Sequence, residues 1–297
     1  MQQKGKRIKP SIMQRRESRL GILLILPTAV LIGAVIIYPI IYNVVLSFQD
    51  VSMNPYMPSE FIGLENYIRL FKDPTFYQSL LVTIVYVAAT VLGSTAVGLL
   101  VALLMNREFR GRRVARSLML LPYVAPVVAT VYVWRYMFNG LYGAINYLLV
   151  DVLHIFNEAP LWMDDPVFSV MVVVLYDIWR VFPYAFLMIL AALQAVDTSL
   201  YEAAQMDGAS PWRSFWAITF PEILPTITAI ISLRTIWNFY KFDDVYLFTK
   251  QVPVLGVYLY QRAFATHDNG SAAAITIVLF VIVFAFVVIF GRKAVRK

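Results

Sequence analysis

Six apolar runs, each about 20 residues or longer, decide what this chain folds into, because a hydrocarbon layer about 30 Å thick is crossed by roughly 20 residues of helix. They extend from Leu20 to Leu46, Ser79 to Met105, Val114 to Phe138, Val167 to Ala195, Ile223 to Phe248 and Ala272 to Gly291. Backbone polar groups inside lipid must be satisfied within the segment or in a closed barrel, and the alternating polarity of barrel strands is absent. The expected fold is all-α: a polytopic membrane helix bundle with six transmembrane helices. A composition of 60% apolar and 14% charged residues, with a mean hydropathy of +0.69, agrees. The first run follows a basic leader, Lys4 to Arg19, yet it is too long for a signal peptide and lacks a small-residue cleavage site. It is read as a retained helix. The chain then divides into a basic segment 1–19, a six-span domain 20–291 and a basic tail 292–297.

The net charge of +7 does not mark a nucleic-acid binder, since the basic residues flank apolar spans and are not gathered on one soluble face. They orient the bundle. Seven Lys or Arg precede the first span, five lie between Arg107 and Arg116, one is Arg213 and four follow Gly291, all on one side of the membrane. Both termini are expected in the cytoplasm. With no cysteine and two scattered histidines, His154 and His267, no metal site is expected.

A polar, amphipathic stretch, Asp197 to Pro225, separates spans four and five and falls on the cytoplasmic side. Its residues describe two short helices. Ser199 with Glu202 forms a capping box, Asp197 being the rival cap, and Gly208 is the left-handed terminator. Ser210 followed by Pro211 starts the second helix, while Pro221 and Pro225 bracket the return into the membrane. Ala203 and Ala204 permit close approach by another chain, and Glu202 offers it a charge. A plain helical hairpin packed on the bundle fits these features equally well.

Glu202-Ala203-Ala204, Gly208, Ile218 and Pro221 fall on the register of a known cytoplasmic motif, with Phe220 in place of its leucine. At these residues the chain resembles the membrane permease subunits of binding-protein-dependent ABC importers. The resemblance implies a coupling helix, within a coupling loop at 197–221, that seats in an ATP-binding subunit through Tyr201, Glu202, Ala203, Ala204, Asp207 and Gly208. It extends to carbohydrate importers through Phe61-Ile62-Gly63-Leu64-Glu65-Asn66-Tyr67 in the first outer loop. Arg234, Trp237, Phe242, Asp243 and Thr249 in span five are similar as well. One departure is Lys250-Gln251-Val252-Pro253, where the family often has Gly-Gly-Gly-Pro.

The resemblance also implies partners: two ATP-binding subunits carrying ATP and Mg, a second, similar permease, an extracytoplasmic solute-binding protein and the lipid of a bacterial or archaeal cytoplasmic (inner) membrane. This chain has no phosphate-binding loop, so ATP hydrolysis belongs to a separate subunit and the chain itself is not an enzyme. The expected function is half of a translocation pathway for a sugar or related polyhydroxylated solute, worked by alternating access. The alternative is a self-contained ion-coupled carrier or channel. An intramembrane enzyme is disfavoured, since no catalytic constellation stands at membrane depth.

Charges inside spans cost about 2.5 to 3.5 kcal/mol on insertion scales, so they face partners or an aqueous cavity. Asp177, Trp179 and Arg180 on span four, with Arg234, Asn238, Tyr240, Lys241 and Asp243 on span five, are the candidate substrate pathway. Intrahelical ion pairs, Asp177 with Arg180 and Lys241 with Asp244, are the favoured account of the charges, leaving Asn238 and Tyr240 as preferred solute contacts. Gly93, Ser94, Gly98 and Ala102 predict a tight helix crossing on span two. Pro122 and Pro126 in span three and Pro183 in span four break backbone hydrogen bonds, with a kink expected at Pro183. Phe61, Leu64, Tyr67, Ile68 and Phe71 trace one face of an interfacial outer helix.

Overall fold

A computed structural model of the protein describes residues 12–51 and 59–295; the leader up to residue 11 and the tail residues 296 and 297 lie outside the described residues. Five helices are long and apolar enough to cross a membrane, and a sixth crossing exists if one sharply bent pair counts as a single span. The first crossing, Leu20–Leu46, is built from α1 (Ile12–Ile32), a π-helical stretch (Gly33–Ile37) and α2 (Tyr38–Leu46). None of its most apolar window is buried, and its α2 part packs on the bundle, against the last crossing.

A two-stranded ribbon follows, with β1 (Gln49–Asp50) antiparallel to β2 (Glu60–Phe61). The outer helix α3 (Glu65–Lys72) docks through Asn66 and Leu70, with Tyr67 of the apolar stripe packed on Phe48 at 5.6 Å between ring centres. The Asn66 amide decides the orientation by donating to the carbonyls of Ser47 and Gln49 at 3.1 and 2.9 Å, while Leu64, Ile68 and Phe71 stay exposed.

The second crossing is α4 (Pro74–Asn106), capped by Asp73, whose Oδ1 accepts the Thr75 N–H at 2.8 Å. The Asp73 carboxylate also accepts from the Tyr258 hydroxyl and the Arg262 guanidinium, each at 2.7 Å. Burial raises its pKa, but hydrogen bonds from Tyr258, Thr75 and Arg262 outweigh this and bring it down to about 2. A depressed carboxyl stabilises the fold above its unfolded value and loses that contribution as pH falls through the folded one. Melting of the detergent-purified chain is therefore expected to lose the Asp73 contribution between about pH 4 and 2. An Asp73→Asn variant matching the wild type across pH 3 to 7 would contradict this.

The expected third span, Val114 to Phe138, is broken. Helices α5 (Arg112–Met119) and α6 (Leu121–Val124) form one arm and α7 (Val127–Met137) the other, with 92° between them. Pro126 lacks an N–H and forces the preceding Ala125 into an extended conformation with ψ 142°, so the helix stops and restarts. A short turn, α8 (Ala144–Asn146), leads to the fourth crossing, α9 (Pro166–Ala195), which carries Pro183 inside a single helix.

Beyond α9 lies α10 (Thr198–Met206). The fifth crossing begins earlier and ends earlier than its apolar pattern indicates, running Pro211–Phe239 as α11 (Pro211–Ser214), a π-helical stretch and α12 (Phe220–Phe239). Pro221 and Pro225 sit inside this helix. It ends where Tyr240 leaves helical geometry at φ −95° and ψ 10°, so Asp243 and Asp244 open a separate helix, α13 (Asp243–Phe248). The outer segment α14 (Leu255–Tyr260) and the last crossing, α15 (Asn269–Val295), complete the chain.

The core is the crossing of α4 and α9. A Cβ on Gly98 would sit 2.6 Å from the Ala185 Cβ and 2.8 Å from the Phe186 nitrogen, and one on Gly93 would collide with Ile178. The small residues of span two thus make the close approach expected of them. Gly98→Val is expected to force the helices apart and destabilise the bundle by about 1–3 kcal/mol. Unfolding of the purified variant in detergent measures the loss, and wild-type stability would refute this packing.

Candidate functional site

The helix α10 is defined by its ends. Asp197, not Ser199, is the cap: its Oδ1 accepts the Ser199 N–H at 2.9 Å, and the same amide and the Ser199 hydroxyl pull the Asp197 pKa down. Gly208 terminates it at φ +74°, where Ala209 donates to the Ala204 carbonyl at 2.9 Å. Ser210 caps the next helix through Arg213, with Pro211 in the first turn. Glu202, Ala203, Asp207 and Gly208 are exposed, Tyr201 and Ala204 half-buried. The Tyr201 hydroxyl lies 2.9 Å from the Thr219 hydroxyl and ties α10 to the start of the fifth crossing. Behind it, a cavity of about 1000 Å³ is lined by Asn106 and Arg107 at the end of α4, by Gln205, and by Trp212, Phe215 and Trp216. The α10 segment and the basic loop therefore share one end of the bundle.

The charges within the spans form a buried cluster. Asp177, 1% exposed, accepts from Arg234 at 3.3 Å and faces the Lys241 ammonium at 3.6 Å, while Lys241 pairs with Asp244 at 2.9 Å. Asn238 donates to the Thr90 hydroxyl at 2.7 Å and to Asp177 at 3.4 Å. Two acids and two bases cancel. The Lys241 and Asp244 pair forms as expected, whereas the Asp177 and Arg180 pair does not. Asp177 turns to span five, where it meets two cations and an amide, and the buried Arg180 Nε lacks a hydrogen-bond partner among the described residues.

The other pathway candidates stand apart from this cluster. Trp179 packs against Trp134 with ring centres 5.5 Å apart, and both line a recess of about 350 Å³ in the elbow at Pro126, with Thr130 and Met137. Tyr240, 42% exposed, lines a different cavity of about 570 Å³ with Tyr42, Asn43, Phe242 and Tyr260. Asp243 is exposed. Among the described residues no group of acids and histidines is arranged to hold a metal.

Residues 94–297, which include α10 and every pathway candidate, match the family described as the binding-protein-dependent transport system inner membrane component. The chain belongs to that family. The permease is 50% identical over 282 residues to the inner membrane ABC transporter permease protein YcjO of Escherichia coli (strain K12), covering 95% of this chain and 96% of that one. It is 33% identical to the trehalose/maltose transport system permease protein MalF of Thermococcus litoralis, covering 94% and 95%. A bacterial ABC transporter involved in import of the acidic polysaccharide alginate shares its fold at TM-score 0.78 and 20% identity, covering 95% and 96%.

The sequence pattern missed three features of the permease. Thr219 as the partner of Tyr201 lies eighteen residues away, and no local rule joins them. Met206, 89% exposed at the tip of α10, carried the signal of an apolar residue on a polar turn. Trp134 lies on the third span and Trp179 on the fourth, 45 residues apart, so no local pattern joined them.

Proposed function

We propose that α10 is the coupling helix through which a separate ATP-binding subunit drives this permease, and that its cargo is a sugar or related polyhydroxylated solute. The supporting observation is the exposed Glu202 and Ala203 on a doubly capped helix tied by Tyr201 and Thr219 to the foot of the fifth crossing. A push on α10 reaches α12 through that contact, and alternating access follows as rigid elements rock about the tight crossing of α4 and α9. The partners in this reading are two ATPases holding ATP and Mg, a second permease and a solute-binding protein. The end bearing α10 and both termini faces the cytoplasm.

The recess beside Trp134 and Trp179 is the solute contact in this reading, because aromatic faces stack against sugar C–H surfaces while hydroxyls need nearby donors. Asp177, Arg234, Asn238 and Lys241 do not line that recess; their polar groups are turned on one another in the buried cluster. The sugar class is also supported by the trehalose/maltose permease named above.

The chain lacks cysteine, so a Met206→Cys variant provides one defined cross-linking site. Cross-links from it are expected on the ATP-binding subunit of the assembled transporter. Cross-links confined to lipid or to the permease itself, or transport by this chain alone in liposomes without ATP, overturn the reading. Thermal stabilisation of the assembly across sugars, polyols and sugar phosphates tests the solute class.

A further inference from the structure

We infer that Asp73 is a positioning residue for transport: its contacts with Tyr258 and Arg262 latch the start of the second crossing to the outer segment before the last, and outward opening requires that latch to part. This rests on the importer reading above. Asp73 lies at the end of α4 opposite the cavity behind α10, because Asn106 and Arg107 at the other end of α4 line that cavity.

The outer segment is held at two places. At its start the Leu255 N–H donates to the Thr83 hydroxyl at 2.8 Å, deep in the bundle, and Gly256 lies against the Lys241 carbonyl. At its far end Tyr258 and Arg262 reach Asp73, and the Arg262 guanidinium stands over the Tyr258 ring at 5.3 Å. The inner attachment is sealed from water. The outer one is not: the Arg262 and Asp73 side chains are 36% and 17% exposed, against 14% or less throughout the Asp177 cluster. Water can replace the outer contact as it opens, at a small energetic penalty.

Arg262 also sits on an irregular joint. The π-helical stretch Gln261–Ala265 carries it, and His267 two residues beyond that stretch has φ +53°. Such stretches and left-handed non-glycine residues gather at hinges and switch regions. An anchored root, a water-accessible clasp and a strained joint before α15 describe a flap that swings about Leu255.

Asp73→Asn separates latch from cap, because asparagine caps a helix as well as aspartate does but carries no charge. In the transporter reconstituted with its ATPase subunits, ATP hydrolysis without the solute-binding protein is expected to rise about tenfold, the equivalent of one charge-assisted hydrogen bond. Arg262→Gln is expected to do the same with the Asp73 cap intact. Thr75→Cys with Ala265→Cys, both exposed and two and three residues along the chain from Asp73 and Arg262, provides a second measurement: a cleavable thiol-reactive cross-linker bridging them is expected to arrest hydrolysis, and its cleavage to restore it. Basal hydrolysis unchanged in Asp73→Asn and Arg262→Gln, or full hydrolysis in the bridged protein, overturns the latch. A wild-type assembly with no ATPase activity at all overturns the importer reading and the latch with it.

Discussion

Glu202→Lys is expected to abolish ATP-dependent uptake while the chain remains inserted at wild-type abundance. Glu202 is exposed on α10, so its replacement should change stability by no more than about 0.5 kcal/mol. Against a partner that receives a carboxylate, a lysine both removes an attraction and adds a like-charge repulsion, together about 2–5 kcal/mol. That is a loss of at least about 30-fold in productive docking. Radiolabelled uptake in vesicles, normalised to the permease detected in the membrane, is the measurement. Retained uptake would tell against α10 as the coupling element, and a fall in membrane abundance matching the fall in uptake would assign Glu202 a folding role instead.

Asp177→Ala is expected to be the most destabilising single substitution in the pathway region, by about 3–5 kcal/mol. It leaves Arg234, 6% exposed, without its acid and leaves Lys241 with Asp244 alone. Asn238 keeps Thr90 but loses its second acceptor. A buried ion pair is weak evidence of net stabilisation, yet breaking one by removing a single partner strands the other charge. Removing both charges, with Asp177→Asn and Arg234→Gln together, is therefore expected to recover a substantial part of the loss. Denaturant unfolding in detergent, with all variants compared in a double-mutant cycle, checks both statements. Wild-type stability of Asp177→Ala would mean that these charges are solvated, and would return Asp177 and Arg234 to direct contact with the solute.

The parts of the site that were legible are those ruled by local chemistry. Gly208 as the terminator, Ser210 with Pro211 as the next start, and the pairing of Lys241 with Asp244 all act within about four residues, the reach of a helical turn. The choice between Asp197 and Ser199 as the cap of α10 was open in the sequence because both stand within reach of the same free N–H groups. The error over Asp177 has a different origin: Arg180 is three residues away on its own helix, but Arg234 approaches from α12 and Lys241 from the link that follows it, and a buried acid goes to the larger positive field.

Sequence alone determined that the chain crosses a membrane as helices, roughly where each crossing lies, which loops share a side by their charge, and where the α10 motif sits, because apolar length and turn chemistry are properties of contiguous residues. Tertiary structure decided the 92° elbow of the third crossing, the docking of α3 through Asn66, the partner of Tyr201, and the separation of Trp179 and Tyr240 into different cavities. Those depend on which helices touch and in what register. The close approach of α4 and α9 at Gly98 fixes that register, and it brings together side chains that lie tens to hundreds of residues apart.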